Sequence, residues 1–180
     1  MPLPKEELYT TDFIYNLPDG ERAELIDGQI YYMSPPTFIH QKLLNYINVE
    51  ISNYIRSKKG ICEVIPAPFA VFLNKDNRTY VEPDISVICD KSKLNDKGCV
   101  GAPNWIIEIV SPGSIRHDYF TKTYLYQNAG VCEYWIVDPK KKRITVHNFT
   151  NETLEEFSFT DSVKAGIYED LYINFADISE

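Results

Sequence analysis

The apolar residues between positions 39 and 55 recur at intervals of three and four, which predicts an amphipathic α-helix. They are Leu43, Leu44, Ile47, Ile51, Tyr54 and Ile55. Gly60 follows this segment and is predicted to cap the helix at its carboxyl end. A second helix is predicted over residues 115–129, because a Ser-Pro-Gly-Ser turn at 111–114 precedes it and Gly130 follows it.

Short apolar segments bounded by turn residues predict β-strands between and after these helices. The predicted strands cover residues 63–73, 80–89, 104–110, 131–138 and 144–147, with two or three more over 153–180. The 104–110 segment is apolar on both faces, which is typical of a central strand in a covered sheet. Near the amino terminus, a short helix is expected over 5–16. Asp27-Gly28 predicts a hairpin turn between two short strands.

The central elements therefore follow the order helix, three strands, helix, strand, with extra strands on either side. This order predicts an α/β domain with a mixed sheet. The chain has 180 residues, no repeats and no internal linker, so we expect a single domain over 1–180. Within it we expect an amino-terminal helix and hairpin (1–38), a core (39–149) and acidic carboxyl-terminal strands (150–180).

Composition narrows the class of protein. The chain is 44% hydrophobic and 24% charged, as a globular domain is. No apolar run approaches the ~20 residues of a membrane span, and the first 20 residues lack the apolar core of a signal peptide. The four cysteines at 62, 89, 99 and 132 have no C-x-x-C spacing, which excludes a zinc finger. We expect a soluble cytoplasmic protein with no membrane partner, in which all four cysteines remain thiols.

The net charge of −8 is concentrated at the carboxyl end. Residues 150–180 carry eight acidic residues and one lysine, whereas residues 1–149 carry 17 basic and 18 acidic residues. The body of the protein is nearly neutral, so its charge neither supports nor excludes a nucleic-acid partner.

Two acidic residues interrupt otherwise apolar strands. Glu108 shares a strand face with Ile106 and Val110, so its carboxylate must be protonated, paired or bound to a cation. Asp84 follows Pro83, which confines this stretch to a sheet edge, a bulge or the start of a strand. The pair indicates either a site at an irregular point of the sheet or two acids satisfied by local partners.

Eight fragments in order connect this chain to a known family. They are Glu24-Leu25-Ile26-Asp27-Gly28, Ser34-Pro35-Pro36, His40, Pro83-Asp84-Ile85-Ser86-Val87, Ala102-Pro103, Glu108-Ile109-Val110-Ser111-Pro112, Asp118 with Lys122, and Gly-Val-Cys-Glu-Tyr-Trp-Ile-Val-Asp-Pro at 130–139. From about residue 20 to 150 the chain resembles the bacterial Uma-two (Uma2) family of restriction-endonuclease-like proteins, within the PD-(D/E)XK nuclease superfamily. The resemblance implies a restriction-endonuclease-like core.

The resemblance also implies a set of site residues. Asp84 corresponds to the PD acid and Glu108 to the acid of the second half-motif, and together they would bind Mg²⁺ or Mn²⁺. The lysine of the superfamily pattern is replaced by Val110, and Lys122 in the following helix is its match. Alternatively, Asp118 and Lys122 form only a surface pair four residues apart.

Two further residues, Glu24 and His40, carry two interpretations each, and a third, Glu82, carries one. By resemblance Glu24 is a site acid that extends metal binding, or else it only ends a hairpin strand. His40 is either a site residue or a helix cap, and Glu82 is a candidate acid just outside the metal ligands. If the acids converge without metal, at least one should titrate well above the ~4 of a free carboxyl group.

The resemblance implies a metal-dependent endonuclease with DNA as substrate. Two alternatives stay open, a catalytically inactive nuclease-fold binding or scaffold protein, and a hydrolase of RNA or of a nucleotide. A homodimer is also expected, from the family and from an aromatic, strand-rich edge at 131–149.

Overall fold

The computed structural model describes residues 7–74 and 76–178. Its helices are α1 (Thr11–Tyr15), α2 (Phe38–Ser57) and α3 (Lys122–Ala129), with a π-helical turn at His117–Thr121 and 3₁₀ turns at Lys91–Lys93 and Phe175–Ile178. Its strands are β1 (Ala23–Ile26), β2 (Gln29–Tyr32), β3 (Glu63–Pro66), β4 (Val71–Phe72), β5 (Ile85–Ile88), β6 (Leu94–Asn95), β7 (Gly98–Val100), β8 (Trp105–Ile109), β9 (Glu133–Asp138), β10 (Arg143–Asn148), β11 (Thr153–Ser158), β12 (Ser162–Lys164) and β13 (Tyr172–Asn174).

A six-stranded mixed sheet forms the centre, in the order β11-β10-β9-β8-β5-β3. Strands β8 and β9 are parallel, and α3 connects them, while the other neighbours in this sheet are antiparallel. The order α2, β3, β5, β8, α3, β9 is the predicted core, and the α/β fold class is confirmed. The predicted central strand, β8, is buried along its whole length.

The sheet separates two hydrophobic clusters. On one face, α2 packs through Leu43, Ile47 and Ile51, together with the carboxyl-terminal segment. On the other face, Tyr126 of α3 and Ile26 of the β1–β2 hairpin belong to the second cluster. The side chains of β8 alternate between the clusters, with Trp105, Ile107 and Ile109 in the first and Ile106 in the second, which also contains Val110 just after the strand. Glu108 therefore lies on the face covered by α3.

Two predicted strands are shorter than expected. The 63–73 segment is divided into β3 and β4, because Pro66 and Pro68 cannot donate to a strand ladder and β4 leaves to pair with β7. In the 80–89 segment only β5 is a strand of the main sheet, while Tyr80 and Val81 form isolated bridges to Leu25 and Val71. Pro83 precedes β5, so the strand-start interpretation of this proline is confirmed.

The hairpin turn at Asp27-Gly28 has the predicted conformation, whereas the end of α2 has a left-handed residue one position earlier than Gly60. Asp27 and Gly28 have φ of 51° and 83°, as the predicted two-residue hairpin requires. Gly60 lies in the cap of α2 as predicted, although the residue in the left-handed conformation is Lys59 (φ 51°). The N–H of Gly60 donates to the carbonyl of Ile55 at 2.8 Å, which closes the end of α2.

The expectation of four free thiols is also wrong. Cys62 and Cys89 form a disulfide, and only Cys99 and Cys132 are free. The cause is strand register, because Glu63 pairs with Ile88 in the antiparallel β3–β5 ladder. The residues just beyond this pair, Cys62 and Cys89, are therefore directly opposite one another.

Three other expectations concern the ends of the chain and the sheet edge. The helix predicted over 5–16 begins only at Thr11. The N–H of Tyr9 donates to the carbonyl of Gly28 at 2.8 Å, which keeps the preceding residues out of the helix. Residues 5 and 6 lie outside the described residues. The 131–149 segment is not an edge, since β11 covers β10. The two or three strands expected over 153–180 are β11, β12 and β13.

None of the helices in residues 7–74 and 76–178 has the length and apolar composition needed to span a membrane.

Candidate active site

Glu108 and Asp84 meet because of the pairing of β5 with β8. Ile85 is opposite Ile107 in this antiparallel ladder, so the next pair brings Asp84 opposite Glu108. The N–H of Asp84 donates to Glu108 Oε2 at 3.3 Å, and the N–H of Ile109 donates to Asp84 Oδ2 at 2.7 Å. Two acids that are 24 residues apart in the chain are thus fixed at the same point of the sheet.

Lys122 points inward from the first residue of α3. Its Nζ lies 2.8 Å from Glu108 Oε1, 2.9 Å from Glu24 Oε2 and 3.7 Å from Asp118 Oδ1. Both Lys122 and Asp118 are buried, with 5% and 2% of their surface exposed, so the surface-pair interpretation is wrong. The π-helical turn at His117–Thr121 contains Asp118 and ends just before Lys122, a local distortion frequent at functional sites.

His40 lies in the first turn of α2, and its two groups have different partners. Its backbone N–H donates to Thr37 Oγ1 at 3.3 Å, which caps the helix. Its ring Nε2 lies 3.1 Å from Asp84 Oδ2. His40 therefore contributes to the cap through its backbone and to the carboxylate cluster through its ring.

Glu24 joins the cluster and Glu82 does not. Glu24 Oε1 accepts a 3.0 Å hydrogen bond from the N–H of Glu82, and its other oxygen contacts Lys122. The Glu82 carboxylate points to Arg22 and to the hydroxyl of Tyr80 instead. The structure therefore brings together all five predicted site residues, which are Glu24, His40, Asp84, Glu108 and Lys122.

Burial and mutual repulsion perturb the carboxyl groups. Burial raises the pKa of Glu108 well above its usual value; Lys122 opposes this, and Asp84, Asp118 and Glu24 add to it. Burial likewise raises the pKa of Asp118 to about 6, against the effect of Lys122. These directions agree with the expectation that at least one acid titrates above the ordinary range.

Acidic neighbours raise the pKa values of the two basic groups, Lys122 and His40. Burial alone would lower the pKa of Lys122, but Glu108, Glu24 and Asp118 outweigh it and raise that pKa well above the usual value. Burial would also lower the pKa of His40, and the hydrogen bond and negative charge of Asp84 raise it overall. Lys122 is therefore a permanent cation, while His40 can change its charge near neutral pH.

Asp84 and Glu108 offer the kind of oxygen ligand that a hard divalent cation prefers. In the part of the chain that the structure describes, Asp84 Oδ1 has no hydrogen bond, and Glu108 Oε2 has only the long one from Asp84. Three carboxyl groups, those of Glu24, Glu108 and Asp118, surround one ammonium group, which leaves an excess of negative charge that a cation would balance. Residues 7–74 and 76–178 contain no group of three or more His, Cys, Asp or Glu side chains placed to hold a metal, so the fit rests on Asp84 and Glu108.

Sequence reasoning did not assign two members of the cluster. The hydroxyl of Tyr126 donates to Glu108 Oε1 at 2.7 Å, and Asp118 is a buried neighbour of Lys122. The available signal was spacing, because Asp118, Lys122 and Tyr126 are four residues apart and share a helix face.

A mixed sheet with paired acids on adjacent strands and a lysine from the following helix defines a restriction-endonuclease-like protein. The model of the Uma2 family, described as "Putative restriction endonuclease", matches residues 7–171. The chain belongs to this family.

Two relatives extend the comparison. An uncharacterized protein from Synechocystis sp. is 26% identical over 130 residues, which cover 71% of this chain and 66% of that protein, slightly less than two thirds of its length. A crystal structure from Anabaena variabilis, described as a "putative nuclease belonging to DUF820", superposes with a TM-score of 0.76 at 20% identity. That superposition covers 94% of this chain and 96% of the other, and it shows that the two share a fold.

Proposed function

We propose that this chain is a metal-dependent endonuclease that hydrolyses DNA phosphodiester bonds at the cluster of Asp84, Glu108 and Lys122. The observation that carries the proposal is the 2.8 Å contact between Lys122 and Glu108, on the strand beside Asp84. Burying an ion pair together with surplus carboxylates costs several kcal/mol, so stabilisation of the fold does not by itself explain this cluster. Groups perturbed by burial and by a specific charge partner are typical of functional sites.

Asp84 and Glu108 would hold Mg²⁺ or Mn²⁺, the hard cations that carboxylate oxygens prefer. When bound, such an ion supplies positive charge at the scissile phosphate and makes nearby water more acidic.

Lys122 acts as a fixed positive charge in this proposal. Its raised pKa keeps the ammonium protonated, so it orients the attacking water and stabilises charge on the phosphate oxygens instead of removing a proton. Glu24 and Asp118 hold the ammonium at 2.9 and 3.7 Å, which limits its motion. Asp118 is beyond hydrogen-bond distance, so one of the three N–H donors of Lys122 remains for a water or a phosphate oxygen.

His40 is the proton donor in this scheme. In the hydrolysis, the water oxygen forms a bond to phosphorus and gives up a proton to solvent, and the bond to the leaving oxygen breaks. The leaving oxygen takes up a proton from His40, which solvent then reprotonates. The pKa of His40 is raised by Asp84, so its imidazolium is a ready source of this proton near neutral pH. The side chains of His40 and Asp84 are 11% and 13% exposed, more than those of Glu108 or Lys122, so substrate would approach from their side.

A plasmid-nicking assay with Mg²⁺ or Mn²⁺ tests the proposal. Asp84→Asn and Glu108→Gln remove the charge of a proposed ligand with little change in shape, and we expect losses of about 100-fold or more. Glu156→Gln is the matched control, because Glu156 is an exposed acid of β11 paired with Arg143. Equal nicking by all four proteins would refute the assignment.

A second candidate is a binding or scaffold protein with a nuclease fold that does not cleave. The observation that favours it is that Glu108 Oε1 accepts hydrogen bonds from both Lys122 and Tyr126, so this oxygen is satisfied by the chain itself. Calorimetric titration with Mn²⁺ near neutral pH separates the candidates, since a scaffold whose carboxylates are satisfied internally has no need of the ion.

Substrate, assembly and location remain predictions. A panel of double-stranded DNA, single-stranded RNA and nucleotides distinguishes DNA cleavage from hydrolysis of RNA or of a nucleotide. Sedimentation at micromolar concentration tests the homodimer, and fractionation of the source cells tests the cytoplasmic location.

A further inference from the structure

Tyr126 shares one oxygen atom of Glu108 with Lys122. Its hydroxyl donates to Glu108 Oε1 at 2.7 Å, and the ammonium of Lys122 donates to the same atom at 2.8 Å. The two donors are four residues apart on α3, and Tyr126 is completely buried. One oxygen of this carboxylate is therefore saturated from a single helix face.

The other oxygen of Glu108 is bonded much more weakly. Among the residues that the structure describes, Oε2 accepts only from the N–H of Asp84, at 3.3 Å, so it is directed toward that acid. The terminal torsion of a glutamate is broad, and nothing in its covalent structure distinguishes the two oxygens. The donors on Oε1 are what fix the carboxylate in this orientation.

We propose that Tyr126 is a positioning residue for metal binding. Its hydroxyl, together with Lys122, holds Oε1 so that Oε2 faces Asp84 and stays available to a divalent cation. This inference rests on the proposed function. Partners that orient a metal ligand change metal affinity by about 10–100-fold when they are lost.

Tyr134 offers a matched control within the same cluster. It is also completely buried, and its ring packs edge-on against Tyr126 with centroids 4.9 Å apart. Its hydroxyl donates at 3.0 Å to the backbone carbonyl of Asp118 and not to Glu108. Replacing either tyrosine by phenylalanine removes one oxygen and keeps the ring, so the two variants differ in which group loses its donor.

The experiment titrates Mn²⁺ into the full chain by calorimetry and compares wild type, Tyr126→Phe and Tyr134→Phe. We expect Tyr126→Phe to bind Mn²⁺ about 10-fold more weakly or worse, and Tyr134→Phe to stay close to wild type. Unchanged affinity in Tyr126→Phe, or an equal loss in both variants, overturns the inference, because the effect would then not pass through Glu108. Circular dichroism and thermal unfolding establish that both variants are folded.

A crystal structure of the wild-type protein with Mn²⁺ provides a readout that needs no variant. The inference requires Oε2 on the ion, with the Tyr126 hydroxyl still bonded to Oε1. An ion on Oε1 with Tyr126 displaced contradicts it. If the wild type binds no Mn²⁺, the metal-dependent function fails and this inference fails with it. Wild-type binding with unchanged affinity in Tyr126→Phe refutes the positioning role alone.

Discussion

Lys122 Nζ lies 2.8 Å from Glu108 Oε1, although the two residues are 14 positions apart and belong to a helix and a strand. Both side chains are nearly inaccessible, at 6% and 5% exposure. In the superfamily pattern the lysine lies two residues after this acid, where the chain has Val110. Helix α3, which follows β8 in the chain, thus provides the ammonium group that contacts Glu108, because β8 itself is not followed by the lysine of the superfamily pattern.

Lys122→Met tests how much the fold depends on this contact. The substitution leaves the carboxylates of Glu24, Glu108 and Asp118 without their counter-charge, and breaking a buried ion pair in this way costs about 3–5 kcal/mol. We expect that loss in the free energy of unfolding by urea near pH 7.5. The loss should be smaller at pH 5, because the raised pKa of Glu108 lets that carboxyl group take up a proton instead.

Lys141→Met is the control for this substitution. Lys141 is 52% exposed and lies 3.6 Å from Asp138, so its pair should contribute no more than about 1 kcal/mol. An equally small decrease in the free energy of unfolding of both variants would contradict a buried ion pair between Lys122 and Glu108.

The sequence was sufficient for most of the elements because their signals are local. Helix α2 follows from the spacing of Leu43, Ile47 and Ile51, and the β1–β2 turn follows from Asp27-Gly28. Strand register is not local, since it depends on which residues of two distant segments pair. For that reason neither the pairing that brings Asp84 opposite Glu108 nor the Cys62–Cys89 disulfide could be predicted from spacing.

The candidate site was predictable only with the help of the family resemblance. Asp84 and Glu108 were visible as acids within apolar strands, but Lys122 follows a π-helical turn at 117–121, which a helical spacing rule does not anticipate. A sequence pattern cannot distinguish an exposed pair four residues apart from a buried one. The role of Tyr126 was missed because a tyrosine among apolar residues resembles ordinary core packing.

Asp118 makes stability depend on pH. Its pKa is about 6 in the folded protein, against an ordinary value of 3.8, so between about pH 4 and 6 the folded state binds more protons than the unfolded state. The free energy of unfolding therefore falls as pH rises through this window, by roughly 2–3 kcal/mol for two pKa units. Asp118→Asn cannot titrate and should lack this part of the decrease.

Urea unfolding of wild type and Asp118→Asn at pH 4 and pH 7 measures this effect. Glu108 is shifted in the same direction and remains in both proteins, so the quantity to compare is the difference between their pH slopes. Asp96→Asn, at an exposed turn between β6 and β7, should keep the wild-type slope. Parallel slopes for wild type and Asp118→Asn would show that this carboxyl group is not perturbed.

The disulfide predicts a specific count of reactive thiols. Cys62 and Cys89 are bonded, while Cys99 and Cys132 are free, so the unfolded, unreduced protein should take up two iodoacetamide groups. After reduction it should take up four. Intact mass spectrometry distinguishes the two states, and uptake of four groups without reduction contradicts the disulfide.

The contact between His40 and Asp84 predicts a change in a single histidine pKa. Burial lowers the pKa of His40, and the hydrogen bond and charge of Asp84 raise it above the ordinary 6.5. Asp84→Asn keeps the shape of the side chain and removes its charge, so burial should then dominate and the pKa should fall below that value. The chain has three histidines, so NMR titration of the imidazole C–H signals can follow each of them.

His147 serves as the internal reference for that titration. Its pKa is lowered by burial, and its ring stacks near Tyr134 and Phe149 instead of near a carboxylate. Asp84→Asn should therefore move the His40 signal and leave His147 unchanged. A His40 titration that is the same in both proteins would mean that Asp84 does not hold the imidazolium. The proposed proton donor would then lose its basis, while the roles of Asp84, Glu108 and Lys122 would be unaffected.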